Sequence, residues 1–259
     1  MLRESESRRF PQATLDLLDE LAARIDPDDP QLADWFAHYN RTHRTRLAAD
    51  LQIVQNHCKS GASILECGAI PLLMTAALSQ LDFKVEGLDL APQRFSAAIT
   101  SLGLQVHQCD IETEALPYES SSFEVVLFNE LFEHLRVNPI FTLNQIHRVL
   151  EPGGLLLLST PNLRSLRGLR NLLIHNLGHS SSGDVFDQYS KLETLGHMGH
   201  VREYTSREVA DFLGRVGFRV DKVIYRGGHG TGLVGVIERV APSLRPFFTL
   251  VARKGEAHP

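Results

Sequence analysis

Asp89 stands 21 residues beyond Gly68, and Asp110 a further 21 residues on, each directly after a short apolar run. At the end of a strand the first carboxylate can grip both hydroxyls of a ribose, and the second can accept a hydrogen bond from an exocyclic adenine amine. Ile64-Leu-Glu-Cys-Gly-Ala-Ile-Pro supplies the companion element: a strand, a glycine turn at Gly68 and a helix opening at Pro71, with backbone donors beside a ligand. At a fourth strand end, Asn129-Glu-Leu-Phe-Glu-His adds polar groups where the reactive end of that ligand would sit. Together these spacings describe a nucleoside site.

Histidine is the side chain best suited to moving a proton near neutral pH. His134 directly follows the fourth strand, and His197 and His200 lie in Gly-His-Met-Gly-His within a long polar segment. These three are the candidate catalytic residues. A metal reading of His197 and His200 with Asp184 or Asp187 lacks helix-borne zinc spacing, so no metal is expected. Cys58, Cys67 and Cys109 match neither a zinc site nor a disulfide framework, and are read as free thiols in a reducing cytoplasm.

The elements that must position these groups follow from periodicity. Leu15, Leu18, Leu21 and Ile25 mark a first helix that Pro27 and Pro30 end, and a second runs from about Gln31 to His57. From Ser63 onward, apolar runs at Ile64–Glu66, Val85–Leu90, Leu104–Gln108, Phe123–Phe128 and Leu155–Thr160 alternate with helical patterns, which predicts a doubly wound sheet. Asn138 and Pro139 open a helix whose buried face is Ile140, Leu143, Ile146 and Leu150, and Thr205 with Glu208 forms a capping box closed at Gly217. Phe218–Tyr225 and Phe247–Ala252 complete the sheet as an antiparallel pair. The expected fold is α/β and Rossmann-like, with a mostly parallel seven-stranded sheet, an antiparallel edge and N-terminal helices. Residues 1–60 are expected to form a helical cap on a domain spanning 61–259. Within that domain, about 162–204 is an insertion with one short helix at most, of a length that suits a lid or substrate loop.

Composition sets the outer bounds. With 43% hydrophobic and 22% charged residues, the 259-residue chain is ordinarily globular, and its formal charge of −5 argues against a nonspecific nucleic-acid binder. Neither a secretory signal nor a run long enough for a membrane-spanning helix is present, so the expected location is cytoplasmic. Arg164, Arg167 and Arg170 with Leu163, Leu166 and Leu169 describe a basic amphipathic helix. It suits a phosphorylated or lipid-linked acceptor, a membrane surface, or a solvated face over an ordinary packing stripe.

The stretches ILECGAIP from Ile64, VEGLDLAP from Val85, CDIETEALPYESSSFEVVLFNELFEHL from Cys109 and IHRVLEPGGLLLLSTPN from Ile146 resemble, in this order, the class I S-adenosylmethionine-dependent methyltransferases. The resemblance is closest to the broad group with a Glu-His-Leu step after the fourth strand, and it continues through HVREYTSREVADFLGRVGF from His200. It implies that Glu66 and Gly68 lie near the methionine moiety, Asp89 at the ribose, Asp110 and Ile111 at the adenine, and Asn129 at the methionine end. Ala69, Leu90 and Glu130 complete the cofactor-binding set. S-adenosylmethionine is then the cofactor and S-adenosylhomocysteine the product. Ile70, Pro71 and Leu72 stand where the family usually has further glycines. That change disfavours a dinucleotide pyrophosphate more than S-adenosylmethionine, and so disfavours a nicotinamide oxidoreductase. The expected activity is methyl transfer to a small-molecule hydroxyl, of a sugar or glycan precursor or another secondary metabolite. The alternative is a regulatory or scaffold protein that binds the cofactor without catalysis.

Overall fold

The protein is described by a computed structural model covering residues 11–195, 199–228 and 232–255. Its strands are β1 (Ser63–Cys67), β2 (Lys84–Asp89), β3 (Gln105–Gln108), β4 (Phe123–Asn129), β5 (Leu150–Pro161), β6 (Phe218–Arg226) and β7 (Phe247–Lys254). They form one sheet in the order β3-β2-β1-β4-β5-β7-β6. β1, β2 and β3 are mutually parallel, whereas β7 runs antiparallel to both β5 and β6. The expected mostly parallel seven-stranded sheet with an antiparallel edge is therefore present.

The chain divides into two compact units. The first holds the described part of Met1–Asp110 together with Phe123–Val125. Its helices are α1 (Gln12–Ala22), α2 (Ala33–His57), α3 (Leu73–Gln80) and α4 (Ser96–Leu102). α1 buries Leu15, Leu18 and Leu21 on one stripe, followed by Ile25, and packs against α2 and α3. α2 opens at Ala33, after a short turn of tighter helix over Pro30–Leu32 that Asp29 caps by accepting from Gln31 N at 2.9 Å. α3 begins at Leu73 and not at Pro71, because Leu72 takes a left-handed conformation at φ +74° and delays the first helical turn. Cys67 and Cys109 are buried and Cys58 is half-buried, and none of the three is in a disulfide.

The second unit comprises Ile111–Ser122 and the described part of Val126–Pro259. α5 (Pro139–Val149) has Asn138 as its cap, whose side chain accepts from Phe141 N at 3.1 Å. Leu143, Ile146, Val149 and Leu150 are buried as the periodicity requires. Ile140, expected on that face, is 55% exposed, since it belongs to the first turn and projects beyond the packed stripe. The Thr205–Glu208 capping box opens α8 (Ser206–Arg215), and Gly217 follows that helix at φ +95°.

The insertion departs from expectation. It carries α6 (Leu166–Arg170), which continues into one wider helical turn over Asn171–His175, and then α7 (Val185–Leu195). The basic amphipathic helix read from Leu163 to Arg170 is α6, whereas the wider turn and α7 were hidden because Leu172, Leu173, Ile174, Val185 and Phe186 lie exposed, so no buried stripe marks the helical period. Both ends of the insertion meet at one bridge between Asn162 and Tyr204, where Leu163 N donates to Tyr204 O at 2.9 Å. A further helix, α9 (Gly232–Val240), was likewise not anticipated; it buries Gly235 and Glu238 and leaves Leu233, Val234, Val236 and Val240 exposed.

Candidate active site

In the first unit the C-terminal ends of β1, β2 and β3 lie side by side, with Cys67 opposite Leu88 and Asp89 opposite Gln108. This register brings together Glu66, Gly68, Ala69, Asp89, Leu90 and Asp110, the candidates from three strand ends. Gly68, at φ +75°, turns the chain, and the amides of Gly68 and Ala69 donate to Leu88 O at 2.8 and 3.0 Å. Those two amides are therefore spent on the sheet and not held out to a ligand. Gly87 lets the loop lie this close, because a Cβ built there would come 2.7 Å from the Ala69 Cβ.

Asp89 braces the same loop. Its Oδ2 accepts from Ile70 N at 3.1 Å and its Oδ1 from Ala91 N at 3.0 Å. Burial pushes its carboxyl above the usual range, and the amides of Ala91, Ile70 and Leu90 pull the other way. Each oxygen keeps a second lone pair, so a diol could be gripped by a carboxylate already fixed in place.

Glu66 is buried and accepts from the Thr75 hydroxyl. Burial raises its carboxyl to about 8, the Thr75 hydrogen bond opposes this, and the neighbouring Asp89 and Asp50 carboxylates reinforce it. At neutral pH Glu66 is thus mostly protonated, a polar neutral group and not an anionic grip. On α2, Arg46 Nη2 donates to the Tyr39 hydroxyl at 2.6 Å.

The second unit carries Ile111, Asn129, Glu130 and the histidines. Asn129 Oδ1, at the end of β4, is buried without a hydrogen-bond partner, an acceptor suited to an ammonium or hydroxyl donor of a ligand. Glu130 follows at φ +51°, and its Oε1 accepts from Ser159 Oγ at 2.9 Å and Arg226 Nη2 at 3.1 Å. Ile111 is buried, and its carbonyl accepts from Thr142 Oγ1 at 3.0 Å.

His134 closes a short turn of tight helix, Phe132–His134, and its Nδ1 lies 3.2 Å from Gly199 O. Its ring packs edge-on against that of His200, with centroids 5.0 Å apart. His200 Nδ1 is 3.1 Å from Glu203 Oε1, and its Nε2 is 4.0 Å from Glu133 Oε1. The end of the insertion thus brings His200 to His134. His197 lies outside the described residues.

Two residues the motif reading passed over complete this cluster. Glu133, only 1% exposed, accepts from Thr160 Oγ1 at 2.8 Å through Oε2, while its backbone carbonyl accepts from Val201 N at 2.8 Å. Glu203 accepts from the amide and hydroxyl of Ser180, the amide and hydroxyl of Ser181 and the amide of Ser182. Burial pushes the Glu203 carboxyl up, but the hydrogen bonds from His200, Ser180 and Ser181 outweigh it and hold it well below the usual range. Glu133 adjoined a flagged histidine and could have been found; Glu203, inside a polar segment, gave no periodic signal.

A family model described as a methyltransferase domain matches residues 36–223. A ubiquinone biosynthesis O-methyltransferase of Xanthomonas campestris pv. campestris is 30% identical over 165 residues, covering 61% of this chain and 65% of its own. One from Cereibacter sphaeroides is 31% identical over 105 residues, covering 39% and 42%. The chain thus spans between about two fifths and just under two thirds of the length of these curated relatives. Among solved structures, an S-adenosylmethionine-dependent methyltransferase from Mesorhizobium loti aligns with a TM-score of 0.56 at 18% identity, covering 80% of this chain and 98% of that one. Another from Aquifex aeolicus gives 0.54 at 17% identity, covering 82% and 93%. At such identities these two likenesses speak to the fold. No described helix is long and apolar enough to cross a membrane.

Proposed function

Because the chain belongs to the methyltransferase-domain family, we propose that it transfers the methyl group of S-adenosylmethionine to a hydroxyl of a small-molecule acceptor. The observation that carries this reading is Asp89, held by the Ile70 and Ala91 amides at the end of β2 with lone pairs left for a ribose diol. The buried, unsatisfied Oδ1 of Asn129 supports it independently, as an acceptor for the amino group of a methionine moiety. Asp110 and Ile111 would then serve the adenine, and Glu66, Gly68, Ala69, Leu90 and Glu130 would shape the site around the cofactor. When bound, S-adenosylmethionine supplies an already activated methyl, so the protein's share is alignment of the acceptor, exclusion of water and removal of one proton. His134 and His200, with His197 beside them in sequence, are the groups proposed to act at the acceptor.

A hydroxyl acceptor agrees with the names of the O-methyltransferase relatives. A sugar or glycan-precursor hydroxyl is one acceptor class. The exposed Leu172, Leu173 and Ile174, following the exposed Arg164, Arg167 and Arg170, favour a second: an apolar hydroxylated acceptor met at an anionic membrane surface. The insertion at 162–204 would serve as the substrate loop and residues 1–60 as a helical cap, in a cytoplasmic enzyme.

The test is calorimetric titration of S-adenosylmethionine and S-adenosylhomocysteine, followed by mass spectrometry for methyl transfer across sugar, phenolic and isoprenoid-linked acceptors. Binding with a mass gain of one methylene on a hydroxyl supports the proposal. No binding of either nucleoside overturns it, and binding without turnover on any acceptor favours the regulatory alternative.

A further inference from the structure

We propose that Glu133, His134 and His200 form a two-histidine, one-carboxylate site for a divalent transition cation such as Zn²⁺. One ligand atom from each residue lies within 4.8 Å of the other two, and among the described residues this is the only such group. In a tetrahedral zinc site, bonds of about 2.0–2.2 Å leave ligand atoms roughly 3.3–3.5 Å apart. Side-chain rotations that shift ligand atoms by up to roughly 1.5 Å would close the difference.

Each imidazole has an acceptor against its Nδ1, which sets the tautomer that a ligating Nε2 needs. The Nδ1 of His134 faces the carbonyl of Gly199, an acceptor only, so Nδ1 carries the proton and Nε2 the lone pair. The Nδ1 of His200 faces the Glu203 carboxylate at 3.1 Å, which assigns it the same tautomer and turns Nε2 toward Glu133 Oε1 at 4.0 Å. A carboxylate or carbonyl behind each ring is the arrangement that fixes metal-bound histidines and raises their basicity. Thr160 donates to the other oxygen of Glu133, so Oε1 is the one directed at the cluster. The Val201 amide, held at 2.8 Å by the Glu133 carbonyl, fixes the strand of chain that brings His200 in.

The cluster and its backing hold the carboxyl groups of Glu133 and Glu203. Three protein ligands leave a fourth position open, the pattern of catalytic and not structural zinc sites. The role, though not the binding, rests on the methyl-transfer reading: a cation there would lower the pKa of a coordinated acceptor hydroxyl, whose proton passes to solvent. This site differs from the sequence-based expectation of no metal, since its ligands come from 133–134 and 200 and not from one short segment.

The experiment uses the full chain, stripped with a chelator and titrated with CoCl₂ while the visible d–d absorption is followed, and with ZnCl₂ by calorimetry. One equivalent should bind with the absorption of a four- or five-coordinate site. Affinity should fall at least about 100-fold in His134→Ala and His200→Ala, and about 10- to 100-fold in Glu203→Gln, which leaves all three ligands in place. Circular dichroism identifies any variant that has not folded, and His200→Gln then replaces His200→Ala. The proposal is overturned if no saturable equivalent binds, or if binding survives both histidine substitutions. Titrating the same metal-free protein with S-adenosylhomocysteine separates the two readings: nucleoside binding without cation binding sinks this site alone, and the converse sinks only the methyl-transfer assignment.

Discussion

His200 and Glu203 meet through Nδ1 and Oε1 at 3.1 Å, and the same carboxylate gathers three consecutive backbone amides from Ser180 to Ser182. One buried side chain therefore ties two parts of the insertion to the histidine that faces Glu133. Glu203→Ala should lower unfolding free energy by about 3 kcal/mol, because it leaves several buried donors unsatisfied. Urea denaturation would measure this, and a change under half a kcal/mol would show that the insertion does not depend on this carboxylate.

Asp89→Ala should weaken S-adenosylhomocysteine binding by about 10- to 100-fold, the effect of losing hydrogen bonds to a charged acceptor. The loop at Gly68 also loses its brace on Ile70 N, so melting temperature should fall as well. Calorimetry and thermal unfolding separate the two effects; unchanged affinity would remove Asp89 from the cofactor site.

Glu66 predicts a pH dependence with a definite sign. Its carboxyl is raised to about 8 in the folded protein from an ordinary value of 4.5, so the folded state holds a proton that the unfolded chain releases. Its contribution to stability is complete below the unfolded value and is lost as pH rises toward and through 8. Unfolding free energy should decline between about pH 5 and 8, and Glu66→Gln should flatten that slope. An equal slope in both proteins would contradict the assignment.

Leu173 and Ile174 are 79% and 71% exposed. Replacing both with serine should change stability by less than about 0.5 kcal/mol. With an apolar acceptor presented on phosphatidylglycerol vesicles, KM should rise several-fold while kcat holds, the mark of lost uniform binding. A pure change in kcat would place these side chains in alignment of the acceptor instead.

Thr205→Ala should cost about 1 kcal/mol, since the hydroxyl caps Glu208 N and the reciprocal bond closes the start of α8. Thr205→Ser should restore most of it.

The motif-bearing parts of this chain were legible because their signals are local. The capping box at Thr205 and Glu208, the Asn138 cap and each of the apolar runs that end near Gly68, Asp89 and Asp110 depend on residues a few positions apart. The segments α7 and α9 failed that reading for one reason: most of their large apolar side chains, Val185, Phe186, Leu233, Val234, Val236 and Val240 among them, face solvent, and burial is what gives a helix its sequence period. Glu203 was invisible for a different reason. Its meaning comes from Ser180–Ser182 and His200, brought together only by the fold, and a glutamate among Val-Arg-Glu-Tyr looks like any solvated acid.

The three cysteines have a practical corollary. Burial lifts the Cys67 thiol far above its ordinary range, and Cys109 is equally shut away, whereas Cys58 at the end of α2 is half-open. Thiolate is the species that reacts with maleimides. A fluorophore added to the native protein should therefore attach at one place, giving a spectroscopic reporter within the first unit without engineering a single residue.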